Sequence, residues 1–114
     1  MQFSIALLIP IFALATGASA AECYSQGGSH RCVDPTSLGS YREDYCNNNW
    51  QGNGGSKDYN AENGFTARFQ RVGAFASQQQ CWDSTEDIIS QCLGHRDGGT
   101  WAGSMMTMNI NFCA

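Results

Sequence analysis

The segment SQQQCWDSTEDIISQCLG at residues 77–94 decides the fold expected for this chain. Ser77 and Gln80 stand at the spacing of a capping box, which marks the start of a helix. At i, i+4, i+7 and i+11, which is the spacing of one helix face, stand Cys81, Thr85, Ile88 and Cys92. Gly94 is a typical residue just after a helix end. The segment therefore predicts an amphipathic helix that carries a cysteine near each end.

Strands are predicted on both sides of this helix. Residues 65–70 alternate between apolar and polar side chains, which indicates a strand buried on one face, and residues 106–112 alternate in the same way. Gly98 and Gly99 make a turn that leads into Thr100 and Trp101, and residues 22–25 form a short edge strand. By the same alternation, the side chains of Arg68 and Arg71 lie on opposite faces of their strand.

The first half of the chain contains a second predicted helix and a long segment without periodicity. Asp34 is a good N-cap and Pro35 suits the first helical position, while residues 47–49 are three asparagines that end the helix. Residues 50–64 contain four glycines and three asparagines and are predicted to form a long loop. The fold class is α+β: a two-layer sandwich in which two helices cover one face of a small, mostly antiparallel sheet of three or four strands.

The N-terminal segment is typical of a secretory signal peptide. Residues 1–20 carry no charged side chain and end in Ala18-Ser19-Ala20, which has the form of a cleavage site. A membrane anchor is the alternative, but the apolar part is shorter than the roughly 20 residues of a spanning helix and contains Pro10. We therefore expect a signal peptide at 1–20, a single domain at 21–114, secretion to the extracellular space and no membrane anchor.

The cysteines predict a disulfide framework. All six follow the expected cleavage site: Cys23, Cys32, Cys46, Cys81, Cys92 and Cys113. An even number in an exported chain indicates three disulfides, and their spacing lacks the short pairs of a zinc site, so neither a metal nor any other cofactor is expected. Six cysteines allow 15 pairings. The two on the predicted helix are about 16 Å apart and cannot bond each other, which leaves twelve.

Composition argues against two classes of function. The net charge is −4, and the six basic residues are spread singly, which does not favour nucleic-acid binding. Histidines and carboxylates that an extracellular hydrolase would need are present, but without a local catalytic signature. The acidic residues at 83, 86 and 87 are expected in the first turns of the helix, where its dipole favours negative charge. An enzyme is therefore not expected.

Aromatic and polar residues close to one another instead suggest carbohydrate binding. A flat aromatic ring can cover the apolar face of a sugar, and amide, hydroxyl and carboxylate groups can bind its hydroxyls. One candidate group surrounds Trp101, and the other lies in the predicted loop after the first helix. The candidate ligand-binding residues are Trp101, Asp97, His95, Trp50, Asn53 and Tyr59.

The C-terminal half also resembles a known family. A helix between two cysteines at residues 81–92, the segment Gly94-His95-Arg96-Asp97-Gly98-Gly99-Thr100-Trp101 and a last strand ending in Cys113 resemble the Y-three-like fungal glycan-binding proteins. The N-terminal half, with Cys23-Tyr24 and a helix ending in Tyr45-Cys46, agrees more loosely. Related folds such as the killer toxins of smut fungi could share this cysteine spacing.

The resemblance implies a secreted fungal protein with an α/β sandwich fold that binds glycans without catalysis. The alternative is a secreted effector or killer-toxin-like protein that acts on a host or competitor cell through a protein or membrane target. Sugar binding would depend on Trp101 or Trp50 and be little affected by salt, whereas a membrane toxin would release dye from vesicles. The sequence leaves the glycan, the disulfide pairing and the oligomeric state open.

Overall fold

The computed structural model describes residues 21–25 and 32–114, so the predicted signal peptide lies outside the described residues. These residues form two helices and five strands: β1 (Glu22–Tyr24), α1 (Pro35–Asn48), β2 (Gly55–Asn60), β3 (Thr66–Gly73), α2 (Gln78–Cys92), β4 (Gly98–Ala102) and β5 (Met106–Asn111). The two predicted helices, the edge strand at the start of the domain and the last strand are confirmed. The α+β fold class is confirmed with them.

The strands form one sheet with the order β1-β4-β5-β3-β2, and every neighbouring pair is antiparallel. The three central strands come from the C-terminal half of the chain. β1 closes one edge beside β4, and β2 closes the other beside β3. The sheet therefore has one strand more than the three or four predicted.

The additional strand corrects the prediction of a long loop at residues 50–64. β2 occupies Gly55–Asn60 in the middle of that segment and pairs with β3 along its whole length. Tyr59 is half-buried against Tyr41 of α1, and the other positions of the strand are exposed, so this edge strand shows no apolar alternation. Its backbone hydrogen bonds hold it in the sheet, and these leave no trace in the side-chain pattern.

Both helix starts follow the predicted capping. The Asp34 carboxylate accepts a hydrogen bond from the backbone N–H of Ser37 at 2.9 Å, and this contact lowers the pKa of Asp34. At α2, the Ser77 hydroxyl accepts from the N–H of Gln80 at 3.3 Å. The Gln80 side chain reaches back by one residue more than in the standard box, since its Oε1 accepts from the N–H of Ala76 at 2.7 Å.

The position of the acidic residues in α2 differs from the expectation. The helix begins at Gln78, and its first turn contains no acidic residue. Asp83, Glu86 and Asp87 therefore lie in its second and third turns, where the effect of the helix dipole has fallen away. The dipole does not explain why this helix carries three carboxylates close together.

The helices cover one face of the sheet, as predicted. Directly opposed residues of antiparallel strands share a face, so Phe69, Ile110 and Gly99 form one row across β3, β5 and β4. The ring of Tyr45 from α1 lies 5.1 Å from that of Phe69. A Cβ atom at Gly99 would lie 2.6 Å from the Cys92 sulfur of α2, so only glycine allows the helix to approach β4 this closely. The fully buried side chains of this layer include Leu38, Tyr45, Phe69, Ile88, Met108, Ile110 and Phe112.

Three disulfides join the layers and the ends of the described chain. The bonds link Cys23 to Cys92, Cys32 to Cys113 and Cys46 to Cys81, with Cα–Cα distances of 5.4, 4.5 and 5.6 Å. This is one of the twelve pairings that the sequence left open, and three disulfides are confirmed. Each bond is expected to stabilise the fold by roughly 2 to 4 kcal/mol.

The chain stays attached to the sheet beyond β5. Val33 donates a backbone hydrogen bond to the carbonyl of Phe112 at 2.9 Å. Ala114 and Thr66 exchange two backbone hydrogen bonds of 2.9 and 3.1 Å. The C-terminal end is therefore anchored beside the start of β3, and within the described residues no helix is long and apolar enough to cross a membrane.

Arg68 and Arg71 lie on opposite faces of β3, as predicted. Arg68 binds both carboxylate oxygens of Asp58, at 3.0 and 3.2 Å, on the face without helices. Arg71 is only 4% exposed, and its guanidinium stacks on the ring of Phe75 at 4.7 Å. Its N–H groups bond the backbone carbonyls at residues 49, 51, 52, 54 and 73, which holds the segment between α1 and β2 in place.

Candidate functional site

A groove with a volume of about 580 Å³ lies between α2 and the hairpin that joins β4 to β5. The helix contributes four polar side chains, and the hairpin contributes a tryptophan followed by small residues. The lining residues are Gln80, Asp83, Glu86 and Asp87 from α2 and residues 101–104 from the hairpin. The groove thus combines an aromatic ring with several hydrogen-bonding groups, which is the composition of a small-ligand site.

Helical spacing places the polar side chains of α2 in one row. Gln80, Asp83 and Asp87 stand at i, i+3 and i+7, so they share the helix face that borders β4 and the hairpin. The opposite wall is set by sheet register, since Trp101 pairs with Met108 and so lies on the face of the sheet that carries the helices. The two walls come from different elements that only the tertiary fold brings together.

A hydrogen bond fixes the tryptophan. The indole Nε1 of Trp101 donates to Oδ2 of Asp87 at 3.1 Å. This contact limits rotation of the half-buried ring and holds its flat face in one orientation. The other carboxylate oxygen, Oδ1, can accept a hydrogen bond from a ligand hydroxyl.

Gly103 allows the two walls to come together at the end of the groove. A Cβ atom at this position would lie 3.0 Å from Cζ3 of Trp101, 3.1 Å from Nε2 of Gln80 and 3.1 Å from Sδ of Met106. Because Oε1 of Gln80 accepts from the backbone N–H of Ala76, the Nε2 amide is the end of the side chain directed to the groove. The groove therefore has an amide donor beside the indole.

The other carboxylates of the groove have different partners. Asp83 accepts a hydrogen bond from Nε2 of Gln79 at 2.9 Å. Glu86 lies 3.5 Å from the guanidinium of Arg42, which also donates to the carbonyl of Trp82 and to the hydroxyl of Thr85. Arg42 is held against α2 by these contacts and by stacking on the Trp82 ring at 4.9 Å.

The structure separates Trp101 from its two predicted neighbours. His95 is exposed in the turn after α2, and Asp97 is 6% exposed just before β4. Neither residue lines the groove. The carboxylate of Asp97 instead lies within 4.8 Å of the sulfur atoms of Cys32 and Cys113. Asp87, which the sequence analysis assigned only to helix stability, is the carboxylate that contacts Trp101.

The second predicted group is also dispersed. Trp50 is partly buried and packs against the core, while Asn53 is exposed in the segment before β2. Tyr59 lies on β2, where its ring stacks on that of Tyr41 at 4.7 Å and its hydroxyl donates to Asp44 at 2.6 Å. Burial and this hydrogen bond raise the pKa of Tyr59. These residues do not line the groove beside Trp101.

One cluster among the described residues has three potential metal-ligand atoms, and it consists of Cys32, Asp97 and Cys113. The two cysteines form a disulfide with each other, and metals in proteins bind the thiolate form of cysteine. The cluster therefore does not provide the ligand set of a metal centre.

A cysteine-stapled α+β fold with an aromatic groove of carboxylates and an amide is suited to binding a polyhydroxylated ligand. A family profile described as alpha-galactosyl binding lectin matches residues 33–114. The match covers more than two thirds of the chain and includes all residues of the groove. The chain belongs to the alpha-galactosyl binding lectin family, which supports glycan binding. No curated protein shows significant sequence similarity to it.

Part of this site could be found in the sequence. The sequence identified Trp101 by its position after Gly98 and Gly99, although these glycines lie within β4 and do not form the predicted turn. The row of Gln80, Asp83 and Asp87 is visible as helical spacing. The contact between Trp101 and this row could not be found in the sequence. The helix and the hairpin come together through sheet register and packing, which sequence spacing does not reveal.

Proposed function

We propose that this protein is a secreted, noncatalytic lectin that binds terminal α-linked galactose in the groove beside Trp101. The observation that carries this proposal is the hydrogen bond between Trp101 and Asp87 inside the groove. Family membership supports glycan binding as such, and the family description supplies the α-galactosyl ligand. Fungal origin rests on the resemblance to the Y-three-like proteins, and secretion rests on the disulfides and on the predicted signal peptide at 1–20.

The arrangement of groups suits galactose. One face of a galactopyranose presents a continuous row of C–H groups, which the fixed indole of Trp101 can cover. Its hydroxyls are donors that the carboxylates of Asp87 and Asp83 can accept in charge-assisted hydrogen bonds. The Nε2 amide of Gln80 offers a donor to a ring or hydroxyl oxygen. A preformed groove of this kind binds with little loss of side-chain entropy.

The test is the affinity of the disulfide-intact protein for methyl α-D-galactopyranoside, measured by calorimetry. We expect Trp101→Ala to lower the affinity by about tenfold or more, because it removes the stacking surface. Asp87→Asn keeps the shape but removes the charge and is expected to weaken binding by a smaller factor. Trp50→Ala serves as the control, since Trp50 lies outside the groove.

Near-UV circular dichroism establishes that each variant is folded. If Trp50→Ala abolishes binding in a folded protein while Trp101→Ala does not, the groove is not the site. Release of free galactose from an α-galactoside would contradict the noncatalytic part of the proposal, because a pair of carboxylates beside a sugar can also hydrolyse it.

A further inference from the structure

The groove carries charges of one sign. Among the described residues that line it, the charged ones are Asp83, Glu86 and Asp87, and none is a lysine, an arginine or a histidine. A neutral sugar needs hydrogen-bond acceptors but does not need three carboxylates. The negative charge of the groove can therefore favour a ligand that carries a positive charge.

Local structure compensates this charge only in part. Arg42 faces Glu86, but its guanidinium is also engaged by Trp82 and Thr85. The hydrogen bonds to the carboxylates of Asp83 and Asp87 come from neutral donors, the Gln79 amide and the Trp101 indole. These contacts orient the two carboxylates without neutralising them.

Helix stability does not account for the charges either. The three residues lie beyond the first turn of α2, so the helix dipole does not favour them. Asp83 and Asp87 are also four residues apart on one face, where like charges destabilise a helix. A row of carboxylates that is unfavourable for the helix and faces an aromatic cavity indicates a function in binding.

We propose that the groove prefers galactosides that carry a free amino group, which are the galactosaminides without an N-acetyl group, over neutral galactosides. This inference rests on the proposed function, because it assumes that the sugar binds beside Trp101. An ammonium group provides three N–H donors and a positive charge, so its hydrogen bonds to Asp83 and Asp87 are stronger than those of a hydroxyl. It also interacts favourably with the face of an indole ring.

The same argument gives the order of other ligands. N-acetylation removes the positive charge, so an N-acetylgalactosaminide should bind like a neutral sugar. A uronic or sialic acid carboxylate would face charges of its own sign in the groove and should bind more weakly than a neutral galactoside.

The experiment compares methyl α-galactosaminide, its N-acetylated form and methyl α-D-galactopyranoside by calorimetry at neutral pH. At low ionic strength we expect the amine to bind about tenfold more tightly than the neutral galactoside, the gain of one charge-assisted contact. High salt should reduce this ratio, because it screens the charges. Equal affinities for the amine and the neutral sugar would overturn the inference.

Asp83→Asn tests the origin of the preference. It should reduce the ratio of the two affinities, because loss of the charge weakens binding of the ammonium group more than binding of a neutral hydroxyl, which can still donate to an amide oxygen at this position. Glu62→Gln is the matched control, since it removes the same charge from an exposed position in the turn between β2 and β3, away from the groove. A ratio that Asp83→Asn does not change, or that both variants reduce equally, would overturn the inference.

The outcomes separate this inference from the proposed function. Binding of the neutral galactoside that depends on Trp101, without any preference for the amine, overturns the inference alone. Absence of binding of the neutral galactoside by the native protein overturns the proposed function. Amine binding that Trp101→Ala leaves intact would mean general attraction to an acidic protein, and it would overturn the inference.

Discussion

At the scale of single residues, Arg71 makes more hydrogen bonds to the backbone than any side chain that lines the groove. It is 4% exposed and donates hydrogen bonds to five backbone carbonyls and to the hydroxyl of Tyr45 at 3.2 Å. The alternation of β3 predicted the inward face for this position, but inward positions normally carry apolar residues. Its role depends on a segment folded around it, which no local pattern reveals.

We expect Arg71→Met to lower the free energy of unfolding by about 3 kcal/mol or more, because the carbonyls between α1 and β2 lose a charged donor. Arg71→Lys should restore little of this free energy of unfolding, because one ammonium cannot reach the same set of acceptors. Arg68→Met is the matched control on the same strand and should lower the free energy of unfolding much less, because its ion pair with Asp58 is exposed. Urea denaturation measures all three, and equal losses at positions 68 and 71 would contradict this assignment.

At the scale of elements, the close approach of α2 to β4 forms both the core and one wall of the groove. The sequence predicted α2 well, because capping residues, helical spacing and a closing glycine all agreed. It did not predict β2, whose exposed side chains carry no alternation. Nor did it predict that Asp87 would meet Trp101, since that contact depends on the antiparallel register of β4 and on the distance between the two layers.

Gly99→Ala tests this approach. The added Cβ would meet the Cys92 sulfur at 2.6 Å and Cγ2 of Ile88 at 3.1 Å, so α2 must move. We expect a loss of about 1 to 3 kcal/mol in the free energy of unfolding, together with weaker galactoside binding. Gly39→Ala in α1 is the control: nothing lies within 4 Å of its added Cβ, and a gain of about 0.5 to 1 kcal/mol is expected from helix propensity. If Gly99→Ala leaves the free energy of unfolding unchanged, the layers are not tightly packed here.

At the scale of the whole molecule, three buried or half-buried tyrosines contribute to the response of the fold to alkaline pH. Burial raises the pKa values of Tyr24, Tyr45 and Tyr59, and the carboxylate of Asp44 raises that of Tyr59 further. The unfolded chain loses these protons near pH 10, whereas the folded chain keeps them. The stability that depends on these protons is complete below about pH 10 and is lost as the pH rises above it.

We therefore expect the phenolate absorbance of the folded protein to develop at higher pH than that of the denatured chain. The free energy of unfolding should fall across the same range. Tyr59→Phe removes one of these groups and should make the alkaline fall shallower. Urea denaturation at several pH values, alongside an absorbance titration, measures both effects. Superimposable titration curves for the folded and unfolded protein would contradict this prediction.

The antiparallel pairing of β4 and β5 also determines which end of the protein is suitable for coupling to a solid surface. β5 begins at the hairpin that borders the groove and runs to the opposite end of the sheet, about 17 Å away. Ala114 is fastened there to Thr66 by two backbone hydrogen bonds. A tether added after Ala114 would therefore leave the molecule on the far side from the groove. Sensor chips and beads coupled through this end should present every copy with its groove directed to solution.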